Sequence, residues 1–305
     1  MNQTVPSAHI HPGRNSVFDR AFFRWLKAYS ADWFATAALG LFVVIIVGSV
    51  FANAFAPHDP FQQNLLMRLK PPVGFEGGLW RYPFGTDLLG RDILSRVMYG
   101  GRWSLGIGFA VVLIGGAVGT IVGLLTGYFG GRIDAAVMRY IDFQTSIPYF
   151  LLALTIMAAI GPGVRNLVIV LSIGSWPLFA RFARSIMLSL KSQAFIEAAR
   201  VGGAKEMTIM VRHAFPNILS PLTTLSTLEL SRIILSEAGL SYLGMGVQPP
   251  NPAWGLMVSE AHDYVATANW AVTIPGLFIL LTVLSINICA NRLRRSTDPL
   301  QRGRA

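Results

Sequence analysis

The sequence predicts an all-α integral membrane protein with six transmembrane helices, and three observations carry that expectation. Only 13% of the 305 residues are charged and 53% are hydrophobic, whereas a soluble domain carries about 25% charge. The deficit is concentrated in long uncharged runs, as expected where a spanning helix needs about 20 mostly apolar residues. The basic residues fall in short clusters beside those runs, where positive charge sets membrane orientation.

The first run, FATAALGLFVVIIVGSVFANAFA at 34–56, follows a basic segment and ends in small residues resembling a signal cleavage site. It exceeds a signal core of roughly 7–15 residues, so an uncleaved first span is expected. The segment 57–101 is expected outside the cytoplasm and to hold an interfacial helix. Within RYPFGTDLLGRDILSRVMYGGRWSL at 81–105, Asp87 is placed to cap that helix, and Leu89, Ile93 and Val97 form an apolar stripe. Asp92 and Arg96 are spaced to pair. Such a helix lies in the interface, or it only leads into the next span.

Residues 104–131 read as the second span. Gly115, Gly119, Gly123 and Gly127 recur in it every four residues, a flat face that lets another backbone approach closely. The third span is expected near 143–162, the fourth from 166–180 onward and the last at 266–291. Pro148, Pro177 and Pro275 fall inside these runs, where each removes a backbone donor and can kink its helix.

Hydropathy leaves 214–245 undecided, because Glu229, Arg232 and Glu237 interrupt it. Orientation decides it. Arg14, Arg20, Arg24 and Lys27 precede the first span. Arg181, Arg184, Lys191, Arg200, Lys205 and Arg212 occupy the middle, and Arg292, Arg294, Arg295, Arg302 and Arg304 the tail. The positive-inside rule places all three regions in the cytoplasm, so 214–245 must cross. The expected plan is a cytoplasmic segment 1–33, the first helix 34–56, the outer segment 57–101, a five-helix core 102–291 and a cytoplasmic tail 292–305. One tension stands: the outer segment and the start of the core carry Arg68, Lys70, Arg81, Arg91, Arg96 and Arg102. Glu229, Arg232 and Glu237 are candidates for lining a pathway, since ionisable groups in a span face a cavity or a partner. Glu229 and Arg232, three apart, also read as a merely neutralised pair.

The charged stretch FIEAARVGGAKEMTIMVRHAFPN at 195–217 interrupts this membrane pattern. Phe195, Ala198, Ala199 and Gly202 make a low-profile, weakly apolar face, with Glu197 and Arg200 turned to water or a partner. Gly202-Gly203 supplies a helix stop, and a second helical stretch near 204–213 runs on to Pro216. The segment reads either as a knob for a partner's groove or as a plain re-entry loop.

Glu197-Ala198-Ala199, then Gly203 after three residues, then Phe215-Pro216, resembles the EAA loop of ABC importer permeases, roughly EAA-x3-G-x9-I-x-L-P. His213 and Phe215 stand where that pattern has isoleucine and leucine. FGTDLLGRDILSR at 84–96, SIP at 146–148 and EAGLSYLGMGVQPPNPAWG at 237–255 are similar to the C-type permeases of dipeptide and oligopeptide importers. The tail keeps Asn287, Arg294, Asp298 and Pro299 of the family pattern, with Ala290, Asn291 and Arg295 in place of its Gly and two Asp. Arg232 is atypical of the family.

The resemblance implies a type I ABC importer transmembrane domain in the bacterial cytoplasmic membrane, with both termini cytoplasmic. It implies a second, homologous permease subunit, two cytosolic ABC ATPases and an extracytoplasmic substrate-binding protein as partners, in contact with membrane lipid. The EAA loop at about 190–216 would sit in an ATPase cleft, with Glu197, Ala198, Ala199, Gly203 and Pro216 as coupling residues. ATP and magnesium would be bound by the partner ATPases, and this chain would hold no cofactor or metal, consistent with the lack of a G-x-x-x-x-G-K-[ST] loop. Short peptides are the expected cargo, with nickel or another small solute as the alternative.

Other classes fit less well. Net charge +10 is explained by membrane orientation, so no nucleic-acid partner is expected. Cys289 is the only cysteine, and His9, His11, His58, His213 and His262 are scattered. There is no H-E-x-x-H or G-x-S-x-G for a membrane enzyme. A passive channel remains as a rival and predicts ATP-independent flux.

Overall fold

A bilayer offers no water to backbone N–H and C=O groups, so its spanning segments must satisfy them internally. The structure, a computed structural model, describes residues 33–297 and is almost entirely helical. The elements are α1 (Trp33–Val50), α2 (Ile93–Phe129), α3 (Gly131–Thr145), α4 (Tyr149–Ile160), α5 (Val164–Lys191), α6 (Ala194–Val201), α7 (Phe215–Tyr242), α8 (Trp254–Ala261) and α9 (Asn269–Thr297). Among the described residues five helices are long and apolar enough to cross a membrane, and the bent pair α3–α4 brings the number to six. The basic segment before Trp33 and the end of the tail, with Arg302 and Arg304, lie outside the described residues.

Three elements depart from the sequence expectation. The amphipathic helix expected in the outer segment is the first part of α2, which runs unbroken from Ile93. Its stripe residues Ile93 and Val97 are buried against α8 and α9 rather than against a membrane surface. The cap is Asp92, not Asp87: Asp92 Oδ2 accepts from the backbone N–H of Ser95 at 3.0 Å. The third span is not continuous. Pro148, whose missing N–H cannot continue a helix, stands at an 84° bend between α3 and α4. The helical stretch after Gly203 is not separate either. Glu206–Thr208 and a π-helical turn, Ile209–Ala214, feed directly into α7.

The α2–α5 seam organises the bundle. A Cβ at Gly115 would lie 2.2 Å from Ser175 Oγ, one at Gly119 2.3 Å from the Trp176 carbonyl, and one at Gly123 2.3 Å from the Ala180 carbonyl. At Gly127 it would meet Met187 Cβ at 2.9 Å. The two backbones are therefore in contact over three turns, which only glycine permits. Large apolar side chains on the far side of α2, such as Leu113 and Ile121, are exposed, as lipid as solvent allows. The end where α2 passes into α3 also carries α6 and is termed the knob end; the opposite end carries the connections 51–92 and 243–268.

At that opposite end five arginines are bound internally. Arg91 Nε meets Asp87 Oδ2 at 2.6 Å, and Arg91 also pairs with Glu260 of α8 at 3.0 Å. Arg96 bridges the same two carboxylates at 2.5 and 2.9 Å, in place of the expected Asp92. Arg102 donates to the carbonyls of Ser49 and Val50, both at 2.8 Å, and so caps α1. Arg68 donates to the Tyr264 hydroxyl at 2.8 Å, and Arg81 to His58 at 3.3 Å. Trp254, fully buried, donates from Nε1 to the Val97 carbonyl at 2.9 Å and lies against Gly100 and Gly101. Charge in this segment thus ties α1, α2 and α8 together.

Two stability predictions follow from this packing. Gly123→Ala should cost about 1–3 kcal/mol, because the clashing atom is backbone and cannot move aside; Gly106→Ala, which meets nothing within 4 Å, should leave the detergent-solubilised protein as stable or more so. Thermal unfolding of the two variants side by side checks it. Arg96→Met removes one of the two guanidinium groups that bridge Asp87 and Glu260 and leaves Arg91 alone to hold both carboxylates; it should cost about 1–3 kcal/mol, against less than about 0.5 for the exposed Arg81→Met, measured in the same way.

Candidate functional site

At the knob end, α6 is tethered by one apolar side chain. Ile196 is 0% exposed and sits among Leu124 and Tyr128 of α2, Met187 and Leu190 of α5, and Ile209, Met210 and Ile218 on the way into α7. Ile196 is an anchor that the sequence pattern does not single out; the available signal was a large aliphatic residue directly before Glu197-Ala198-Ala199, one helical turn from Ala199. Of the face proposed from sequence, Ala199 packs inward, whereas Phe195, Ala198 and Gly202 are exposed with Glu197 and Arg200.

The knob closes on itself. Gly202 ends α6, and the Ala204 N–H donates to the Ala199 carbonyl at 3.1 Å while the Gly203 N–H donates to Arg200 at 3.0 Å, the paired bonds of a Schellman stop. Gly203 has φ +79°, a left-handed conformation that costs other residues about 1–2 kcal/mol. Lys191 Nζ donates to the Tyr128 carbonyl at 2.6 Å, joining the end of α5 to that of α2. Pro216 lies in the first turn of α7, where no N–H is required. Glu197, Ala198, Val201 (85% exposed), Met207 and Val211 are left on the surface, among the exposed charges of Arg200, Lys205, Glu206 and Arg212.

The second polar site lies within the membrane span. The elbow between α3 and α4 opens a cavity of about 370 Å³ bounded by α5 and α7, with Gln144, Tyr149, Arg181, Glu229 and Arg232 in its wall. Glu229 and Arg232 are brought together as a fork, with Arg232 Nε 2.8 Å from Glu229 Oε2 and the second guanidinium nitrogen on Oε1. The guanidinium carbon sits 4.0 Å from the centroid of the Tyr149 ring, a cation–π contact. The Tyr149 ring fills the space where Gly174 of α5 lacks a Cβ. Glu237 is not part of this cavity. It is fully buried and accepts a hydrogen bond from Ser241 at 2.7 Å. Gln144 and Tyr149 were not foreseen; the polar pair Gln144-Thr145 just before Ser146-Ile147-Pro148 was the available signal.

A family model described as the binding-protein-dependent transport system inner membrane component matches residues 119–303. The chain belongs to this family. A second model, the N-terminal TM domain of oligopeptide transport permease C, matches residues 24–72. Among relatives, the di/tripeptide transport system permease protein DppC of Pseudomonas aeruginosa is 42% identical over 283 residues, 93% of each chain. The dipeptide transport system permease protein DppC of Haemophilus influenzae is 40% identical over 265 residues, 86% of this chain and 90% of that one. The glutathione transport system permease protein GsiD of Escherichia coli is 41% identical over 279 residues, 92% and 90%.

Solved structures agree on the fold. The MetNI methionine ABC transporter in an inward-facing conformation superposes with a TM-score of 0.55 at 20% identity, over 67% of this chain and 97% of that one. An amino acid ABC transporter superposes with a TM-score of 0.50 at 17% identity, over 66% and 94%. The present permease is thus a multi-pass component of an inner-membrane ABC import system.

Its knob gives a local test. Ile196→Ala removes the anchor and should destabilise the segment by about 2–5 kcal/mol, raising amide hydrogen exchange across 192–205, while the exposed Val201→Ala leaves exchange unchanged.

Proposed function

We propose that this chain is the permease half of an ATP-driven importer of short peptides, working with a second homologous permease, two ABC ATPases and a substrate-binding protein. The observation that carries the coupling role is the closed, Ile196-anchored knob, with Glu197, Ala198 and Val201 presented outward from a rigid base. On this reading the knob end is cytoplasmic and each ATPase cleft receives one knob. ATP and magnesium sit on those partners. The basic cluster at the knob end, including Arg181, Arg184, Lys191, Arg200, Lys205 and Arg212, supports that sidedness. The apparent counter-argument from the opposite end weakens, because Arg91, Arg96 and Arg102 there are held by carboxylates and helix carbonyls.

Coupling follows from the connections. α5 enters the knob and α7 leaves it, so a displacement of α6 is transmitted to two spans at once. An ATPase pair that binds one arrangement of the knobs more tightly than the other shifts the bundle between two states by that difference in affinity. The cargo reading rests on the relatives, whose names specify dipeptides, di/tripeptides and glutathione, all short peptides.

The test is purification of the subunit from native membranes in mild detergent, followed by reconstitution. Recovery of a second permease and ATPase subunits, with ATP-dependent uptake of labelled di- and tripeptides, is expected. Glu197→Lys should leave folding intact, since the side chain is exposed, and should weaken ATPase association about tenfold or more, ~1.4 kcal/mol. Gly203→Asp should disturb both ATPase association and uptake. Uptake of a metal ion or another solute in place of peptides would overturn the cargo assignment, and flux without ATP would overturn the importer itself.

A further inference from the structure

We propose that the elbow cavity between α3 and α4 is a recognition subsite for an α-carboxylate with a neighbouring N–H donor, the chemistry of a peptide's C-terminus. The proposal rests on the importer reading above and assigns Arg232 a role in cargo selection. Four observations converge on the cavity. Arg232 spends Nε and one terminal nitrogen on Glu229, and its other terminal nitrogen, Nη1, makes no hydrogen bond to the described residues. Its side chain is 40% exposed and lines the cavity. The guanidinium is steadied from both sides, by the Glu229 fork and the Tyr149 ring at 4.0 Å, which leaves little rotamer freedom to lose on binding.

The N-terminus of α4, a 12-residue helix with no side-chain cap, starts at the same elbow. Its first N–H groups and its dipole favour a negative charge. The fourth observation is an acceptor. Gln144 is 8% exposed; its Nε2 donates to the Ile173 carbonyl at 2.6 Å, while its Oε1 is buried in the cavity wall without a hydrogen-bond partner. A buried acceptor left unpaired is costly, and since Gln144 lines the cavity, a small turn of its amide would present this oxygen to an N–H beside a bound carboxylate. Arg181 also lines the wall, but it is engaged with Asp142 at 2.5 Å and Thr145 at 3.0 Å. With the Glu229 carboxylate neutralised by Arg232, the groups left to a ligand are the free guanidinium edge, the first N–H groups of α4 and the Gln144 oxygen, a set that suits a carboxylate with a neighbouring N–H.

The experiment uses the assembled permease–ATPase complex in lipid nanodiscs without binding protein. Saturation-transfer NMR measures a dipeptide acid and its C-terminal amide. The acid should bind about tenfold or more tightly than the amide, the scale of one charge-assisted hydrogen bond. Glu229→Gln/Arg232→Gln, which removes both charges together and strands neither, should abolish that preference. Arg232→Lys, which keeps the positive charge, should retain part of it, and it serves as the readout if the double variant does not assemble. Equal binding of acid and amide by the wild type, a preference that survives in the double variant, or a preference no smaller in Arg232→Lys when only that variant assembles, overturns the subsite. Loss of the peptide reading shows up separately, as no ATP-dependent uptake of either peptide by the complete transporter, and the subsite then falls with it.

Discussion

Direct backbone contact between α2 and α5 is the constraint on which the rest of the molecule depends. Four glycines in register bring the two helices to a distance at which carbonyls of one would touch a Cβ of the other. In a bilayer there is no hydrophobic drive between helices, so such close packing is what holds a pair together. The seam fixes α5, and α5 in turn receives the Tyr149 ring of α4 at Gly174 and delivers the chain into the knob. Lys191 closes the seam at one end through the Tyr128 carbonyl.

The opposite end is organised by charge rather than by apolar packing. Asp87, Arg91, Arg96 and Glu260 are nearly buried and form alternating pairs. A cluster of this kind adds little net stability over an apolar core, but breaking it is expensive, so it specifies one arrangement of the segment 57–92 over α8. Arg102 performs a similar task for the last carbonyls of α1. Arg91, Arg96 and Arg102 in this region thus have structural partners within the fold.

The knob and the elbow cavity share two helices. α5 and α7 flank both, the knob through Met187, Leu190 and Ile218 and the cavity through Gly174, Arg181, Glu229 and Arg232. On the proposed function, a motion imposed on the knob reaches the cavity along rigid helices, without a separate chain of contacts. The π-helical turn at Ile209–Ala214 lies between them, at the entry to α7; π turns interrupt the regular helix ladder and are frequent at functional sites.

Much of this was legible in the residues themselves. Hydropathy marked the spans, charge parity required 214–245 to cross, the four-residue glycine period announced a close-packed face, and the spacing from Glu197 to Pro216 carried the resemblance to the EAA loop. These features are local, set by period, composition and the backbone demands of lipid. What the chain order left open was which distant groups meet. Arg96 had Asp92 at ideal helical spacing, yet its partners are Asp87 and Glu260, because Asp92 is taken by the cap of α2. Glu229, Arg232 and Glu237 looked equivalent along one helix, but only the first two reach the cavity, since the third lies in the packed interior. The bend that creates the cavity needed Pro148, but its 84° angle and its position against α5 and α7 are outcomes of three-dimensional packing, in which long-range neighbours decide where a broken helix goes.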